Sequence, residues 1–313
     1  MGRWVGVAMI WLVATAALAA DATRPGVAAP HPSRIVSLNP SLTAVLVALG
    51  AGETLVGVDE FSARQQPGLR GLPRVGGLYD PSLEAVVALR PDLVVLVPSV
   101  QQRDFRARLA ELGIDVLALD PVTFDEVLAM IETLGARVGR DEAAQSRVAA
   151  IRSAKAEVER ASGGRSRPRT VLVLQREPLF VVGAGSFIDD MLRAAGADNL
   201  GAQLGQPYPR ASLEWLVAAQ PEVILDSSVE PGDAKLFWSR WPSLPAVSSD
   251  RVVTVDADVV TLPGPALDRA LRALGAAIAT RAPGPIRAPG PTRAGPTRAP
   301  MPRAEELLPA AAP

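Results

Sequence analysis

One segment of this chain is written twice. It reads SLEAVVALRPDLVVL from Ser82 and SLEWLVAAQPEVILD from Ser212, with starts 130 residues apart. Each copy opens on Ser, runs as a short helical signal, stops ahead of Pro91 or Pro221, and continues into an apolar strand signal. An earlier pair corresponds more loosely: SLTAVLVALGAGETL from Ser41 and SFIDDMLRAAGADNL from Ser186. Two like units in one chain face each other and leave a cleft between them.

The length of 313 residues suits two compact domains. With 32 basic and 33 acidic side chains the formal net charge is -1, which gives no electrostatic ground for nucleic-acid binding. The absence of cysteine excludes disulfides, thiolate metal sites and Cys nucleophiles. The only histidine, His31, falls in a Pro-rich stretch and reads as a solvent-exposed linker residue, so a triad or a multi-His metal centre has little to build on.

The first 20 residues carry Arg3, an apolar run from Trp4 to Ala16, and the A-x-A pattern Ala17-Leu18-Ala19, which together read as a cleaved secretory signal. The expected location is the periplasm. Residues 21–33 read as a linker. Residues 281–313 are a Pro/Ala/Gly/Arg-rich tail with almost nothing to bury, expected to be disordered.

Between these ends the pattern is α/β. Arg34–Leu38 is a strand, Ser41 is placed to cap a helix through Leu49, and Thr54–Val58, Leu93–Val97 and Asp115–Leu119 are further strands. Helices are predicted over Ser82–Leu89 and about Gln102–Leu112. Thr123 and Glu126 form a capping box at the head of a helix to Arg137. Asp141–Ala161 is free of Gly and Pro and spans about 30 Å as a helix, which suits a rigid connector. A second α/β pattern follows: strands at Thr170–Leu174, Glu222–Leu225 and Arg251–Val255, and helices at Ser186–Ala195 and Leu267–Ala279. The expected organisation is an N-terminal lobe over 34–138, a connecting helix over 139–162 and a C-terminal lobe over 163–280.

Glu84 and Glu214 fall at matched positions near the heads of equivalent helices. A favourable place in the helix dipole explains either one alone. Their recurrence in both units points to a paired external role, in which one carboxylate per lobe binds an arginine on a dimeric partner. The chain has just two tyrosines, and each precedes a repeat: Tyr79 before Glu84 and Tyr208 before Glu214. Aromatic walls suit a large flat ligand. Gly183-Ala184-Gly185-Ser186 reads as a turn and helix cap rather than an anion cradle. Asp256 and Asp258 without further ligands are weak grounds for a metal, and Trp238 and Trp241 read as packing residues.

RIVSLNPSLTAVLVALGAGETLVGVDEFS, followed by LPRVGGLYDPSLEAVVALRPDLVVL, resembles the periplasmic binding proteins for vitamin B12, iron-siderophores and haem over about residues 34–280. The resemblance implies two Rossmann-like lobes with parallel sheets, joined by a long rigid α-helix with little hinge motion. It implies a monomer without cofactor or catalysis. Such a protein hands a small ligand to an ABC permease dimer with its ATPase, and the permease arginines receive Glu84 and Glu214. In the vitamin B12 branch an aromatic lies six residues before the second docking glutamate, here Tyr208. The matching position before the first is Leu78, with Tyr79 adjacent. Phe61, Phe180 and Asp258 align with other contacts of that branch. The haem branch places a tyrosine where this chain has Gly77. Siderophore binders use cleft arginines, for which Arg176 is the candidate. A periplasmic α/β enzyme using the two glutamates as acid and base is the reading from another class, and it requires them to converge on one substrate.

Overall fold

The computed structural model describes residues 31–99, 103–229 and 233–279. Residues 1–30 and 280–313, with the segments read as a secretory signal and a tail, lie outside them, and His31 is exposed. In the first half, strands β1 (Ile35–Ser37), β2 (Leu55–Val58), β3 (Leu93–Leu96) and β4 (Asp115–Ala118) form a parallel sheet in the order β2-β1-β3-β4. Helix α1 (Pro40–Ala48) follows β1, helices α2 (Glu60–Gln65) and α3 (Leu83–Ala88) lie between β2 and β3, and α4 (Arg103–Glu111) leads into β4. Asn39, not Ser41, caps α1. Its side chain accepts from Ser41 N at 2.9 Å, because Pro40 at the first helical position has no N–H and holds the residue before it extended.

The chain then runs through α5 (Phe124–Arg137) and α6 (Asp141–Ser162). Both arms of the capping box form at Thr123 and Glu126. The second sheet holds β5 (Arg169–Gln175), β6 (Phe180–Val181), β7 (Asp198–Asn199), β8 (Val223–Asp226) and β9 (Val252–Thr254), with β7 beside the start of β5. Its path β6-β5-β8-β9 is parallel except at β6. Only residues 176–179 separate β5 from β6. That is far too short for the crossover of about a dozen residues that a parallel neighbour needs, so β6 turns back antiparallel. Around this sheet lie α7 (Phe187–Ala194), α8 (Leu213–Ala219), α9 (Ala234–Trp238), α10 (Pro245–Ser248), α11 (Ala257–Val260) and α12 (Leu267–Ala279).

Alternation along the strands sorts the helices into layers. Ile35, Leu93 and Val95 face a cluster with α1, α5 and α6, whereas Val36, Val94 and Leu96 face α3 and α4. In the second sheet Leu172, Val223 and Leu225 join the first of these clusters, and Val171, Val173 and Ile224 face α8, α9 and α10. The first cluster is therefore continuous through both lobes and includes α7 and α12. Ala144, Val148, Ile151, Ala154 and Val158 of α6 form one buried face within it, and α6 packs against both α5 and α12. The ion pair between Arg147 of α6 and Asp268 of α12 adds a polar tie at the surface. The 22-residue α6 is thus embedded along its length rather than spanning a gap, and the described residues from Pro32 onwards pack as one unit. A large apolar seam of this kind opposes domain opening.

Candidate ligand cleft

Parallel α/β sheets gather ligands beyond the carboxyl ends of their strands. In the first lobe those ends lead to Asn39, Asp59, Pro98–Ser99 and Asp120; in the second they lead to Arg176, Ser227 and Asp256. The two edges meet. Gln65 at the end of α2 donates to Asp258 of α11 at 3.4 Å, Phe187 N donates to Val122 O at 2.7 Å, and Phe124 N donates to Asp190 at 3.3 Å. The space between the lobes is therefore bordered by loops from both sheets.

The wall on the first lobe is set by Asp59, which is fully buried at the end of β2. Its Oδ1 accepts from Phe61 N at 2.8 Å and Ser62 N at 3.0 Å, capping α2, while its Oδ2 accepts from the Ser62 hydroxyl. The Thr43 hydroxyl lies 2.8 Å from the hydroxyls of both Ser62 and Ser37. This buried polar chain ties α2 to α1 and β1, and so fixes Phe61 and Gln65. Phe61 is half-buried, with the Arg64 guanidinium 4.4 Å from its ring centre. Burial raises the Asp59 carboxyl above its ordinary value of 3.8 despite these hydrogen bonds. The folded state therefore holds a proton more tightly than the unfolded one, and Asp59 subtracts stability as pH rises from 3.8 through the folded value. Asp59→Asn keeps the cap and removes this slope, so urea titrations across that interval show a flatter pH dependence for the variant. Asp59→Ala loses the cap as well, at a cost of about 1–2 kcal/mol.

The wall on the second lobe is built on β6. Val181 N donates to Pro209 O at 3.2 Å and Gly183 N to Pro207 O at 2.8 Å, so Tyr208 sits on a segment stitched to the sheet at both flanks. Gly183 is required there, since a Cβ would lie 2.0 Å from Gln206 O. The glycine loop is a helix cap, as its sequence suggests: Ser186 accepts from Asp189 N at 3.1 Å, and Asp189 in turn accepts from Gly185 N at 3.2 Å. Tyr208 is half-buried against the continuous core. Burial, and secondarily the Asp120 carboxylate across the lobe boundary, push its hydroxyl well above the ordinary range, so it remains a donor. Asp120 is itself raised, by burial and then by Glu126.

Behind this wall Arg176 and Asp226 form an ion pair of 3.0 Å, with side chains 3% and 0% exposed. Asp226 also accepts from Trp238 Nε1 at 2.6 Å and from the Ser228 backbone and hydroxyl at 3.0 and 2.6 Å. The Arg176 guanidinium lies 4.9 Å from the Phe237 ring centre, and Phe237, Trp238 and Trp241 pack on one another.

Glu84 and Glu214 stand elsewhere, on α3 and α8 in the outer layers of their respective lobes. Ser82 accepts from Ala85 N and Ser212 from Trp215 N, giving the two helices the same cap. A helix that enters a parallel strand runs against its direction, so the heads of α3 and α8 lie on the edge where the cleft opens. Both glutamates are exposed. The Ser212 hydroxyl and its own backbone N–H hold the Glu214 carboxyl below the usual range. No hydrogen bond or ion pair joins Glu84 to Glu214 among the described residues.

A family model described as "Periplasmic binding protein" matches residues 35–259. The chain belongs to that family. It is 28% identical over 240 residues to a vitamin B12-binding protein of Vibrio cholerae, covering 76% of this chain and 86% of the relative. The crystal structure of the periplasmic vitamin B12 binding protein BtuF of Vibrio cholerae superposes with a TM-score of 0.69 at 26% identity, over 80% of this chain and 98% of that one. The periplasmic haem-binding protein RhuT of Roseiflexus gives the same TM-score and identity over 79% and 97% of the two chains.

In this periplasmic binding protein, Phe61, Tyr79, Tyr208 and Asp258 are all half-buried, and Phe61, Tyr208 and Asp258 come from segments that border the cleft. Phe180 and Arg176 are 8% and 5% exposed, the first in β6 and the second held by Asp226. Gln65 and Asp120 were missed by sequence reasoning. Asp120 carried a signal, since it lies just past a parallel strand and ahead of Pro121; Gln65 carried none, because its partner lies 193 residues away. No cluster of three or more metal-ligating side chains occurs among the described residues, and none of their helices is long and apolar enough to cross a membrane.

Proposed function

We propose that this binding protein is exported to the periplasm, captures cobalamin or a related corrinoid between its lobes as a monomer, and delivers it to an ABC permease without performing chemistry. Phe61 and Tyr208, one from each lobe on a firmly anchored segment, are the aromatic contacts, with Tyr79 and Asp258 at the margins. The observation that carries the reading is the contact between the two strand-end edges, one bearing Phe61 and the other Tyr208, in a chain similar to vitamin B12-binding proteins. The buried Arg176–Asp226 pair disfavours an acidic siderophore, because Arg176 already has its counter-ion. Gly77 disfavours haem, because a glycine at that position has no side chain to offer an iron ligand. Glu84 and Glu214 dock the permease, one from each lobe.

Titration of the purified protein with cyanocobalamin, haemin and a ferric hydroxamate, followed by tryptophan fluorescence, tests the ligand. Cyanocobalamin is expected to give a saturable change at one equivalent, with neither of the others competing. Absence of a response to any corrinoid would overturn the assignment.

A further inference from the structure

The likeness of the two lobes extends beyond the twice-written segment, to a clamp at the tail of each docking helix. Helix α3 has six residues and α8 seven, lengths at which a helix is marginal without outside support. Each passes through a left-handed residue, Arg90 at φ 48° or Gln220 at φ 46°, and then a buried proline, Pro91 or Pro221. Asp92 N then donates to Arg34 O at 3.0 Å and Glu222 N to Arg169 O at 2.8 Å. The same acids accept in return, Asp92 from Arg34 N at 3.0 Å and Glu222 from Arg169 N at 2.8 Å. The arginine side chains close the ring. Arg34 donates to Leu89 O at 2.6 Å through Nη2 and to Arg90 O at 3.1 Å through Nε, and Arg169 donates to Ala219 O. A cationic donor on terminal carbonyls both satisfies them and complements the helix dipole.

The two arginines are 135 residues apart and the repeated helices 130, so the clamp recurs although the spacing between its parts does not. Arg167 and Arg251 also reach helix-end carbonyls, of Arg193 and Ile278. Among the described residues neither is held by a carboxylate from the segment that follows its helix. Burial works to raise the Asp92 carboxyl, yet hydrogen bonds from Ser33 and Arg34 keep it below its ordinary value, so it stays ionised.

We infer that Arg34 and Arg169 are positioning residues for transporter docking: by locking the tails of α3 and α8 they fix the direction and separation of Glu84 and Glu214. The inference rests on the docking role proposed for those glutamates. Losing one clamp misplaces one carboxylate, and because the lobes contribute one each, the two arginines count equally.

The test measures affinity for the permease–ATPase complex purified from the producing cells, for Arg34→Ala, Arg169→Ala, the double variant, the lysine variants, and Glu84→Ala with Glu214→Ala. Each alanine is expected to weaken the complex about ten-fold and the pair about 100-fold. Lysine, which keeps a charged donor, is expected to return affinity to within about three-fold. Cyanocobalamin binding stays at the wild-type value throughout, and the melting temperature falls by no more than about 4 °C, in the alanine variants only. Wild-type affinity in the arginine variants alongside loss in the glutamate variant overturns the clamp and leaves the docking role standing. Wild-type affinity in the glutamate variant overturns the docking role and the clamp with it. A fall in melting temperature or cyanocobalamin binding that parallels the loss of affinity, in the alanine and lysine variants alike, reduces the arginines to structural caps and also overturns the inference.

Discussion

Replacing Glu84 and Glu214 together by alanine is expected to abolish uptake of the ligand while leaving its binding intact. Both side chains are exposed on helices of the outer layers, and neither belongs to a segment that supports Phe61 or Tyr208. The Ser212 hydroxyl holds the Glu214 carboxyl below its ordinary range. A carboxylate exposed at a helix head is poised for an arginine of a partner. Removing both carboxylates at once reduces complex formation by on the order of 100-fold or more. Uptake of labelled cyanocobalamin by the producing cells, set beside equilibrium dialysis of the purified variant, separates the two roles. Loss of binding in the variant would mean that the glutamates serve the ligand instead.

The second large effect lies in the interior. Asp226→Ala removes the counter-ion of a guanidinium 3% exposed, together with the acceptor for Trp238 Nε1 and for both donors of Ser228. Breaking a buried pair from one side costs about 3–5 kcal/mol, because the surviving charge keeps its desolvation penalty. Replacing both partners, Asp226→Leu with Arg176→Met, is expected to cost much less, since neither charge of the pair remains. Urea denaturation of the two variants distinguishes them. A double variant as unstable as the single would show that the orphaned donors of Trp238 and Ser228, rather than the uncompensated charge, set the penalty.

The parts of the fold that were legible in the sequence are those with a long period or a strong stop signal. The Gly- and Pro-free run from Asp141, the capping box at Thr123 and the cap at Ser186 stand where their residues predict. What was less legible is short or distant. Helices α2 and α11, which carry Gln65 and Asp258, have six and four residues and show no resolvable period. The short β6 was hidden for the same reason, although it is the rail along which Tyr208 is held. The continuity of the core through α6 follows from which faces of α5, α7 and α12 meet, and spacing along one helix does not specify that. Arg176 has its counter-ion 50 residues on, a pairing that spacing along the chain does not reveal.

On the function proposed above, ligand sits between the lobes at the strand ends while α3 and α8 stay free for the transporter. Hydrogen–deuterium exchange with and without saturating cyanocobalamin separates these two surfaces in one experiment. Exchange is expected to slow in residues 59–66 of the first lobe and in residues 206–211 and 256–261 of the second, with the amides of α3 and α8 unchanged. Protection confined to one lobe, or centred on Glu84 and Glu214, would refute that division of the molecule.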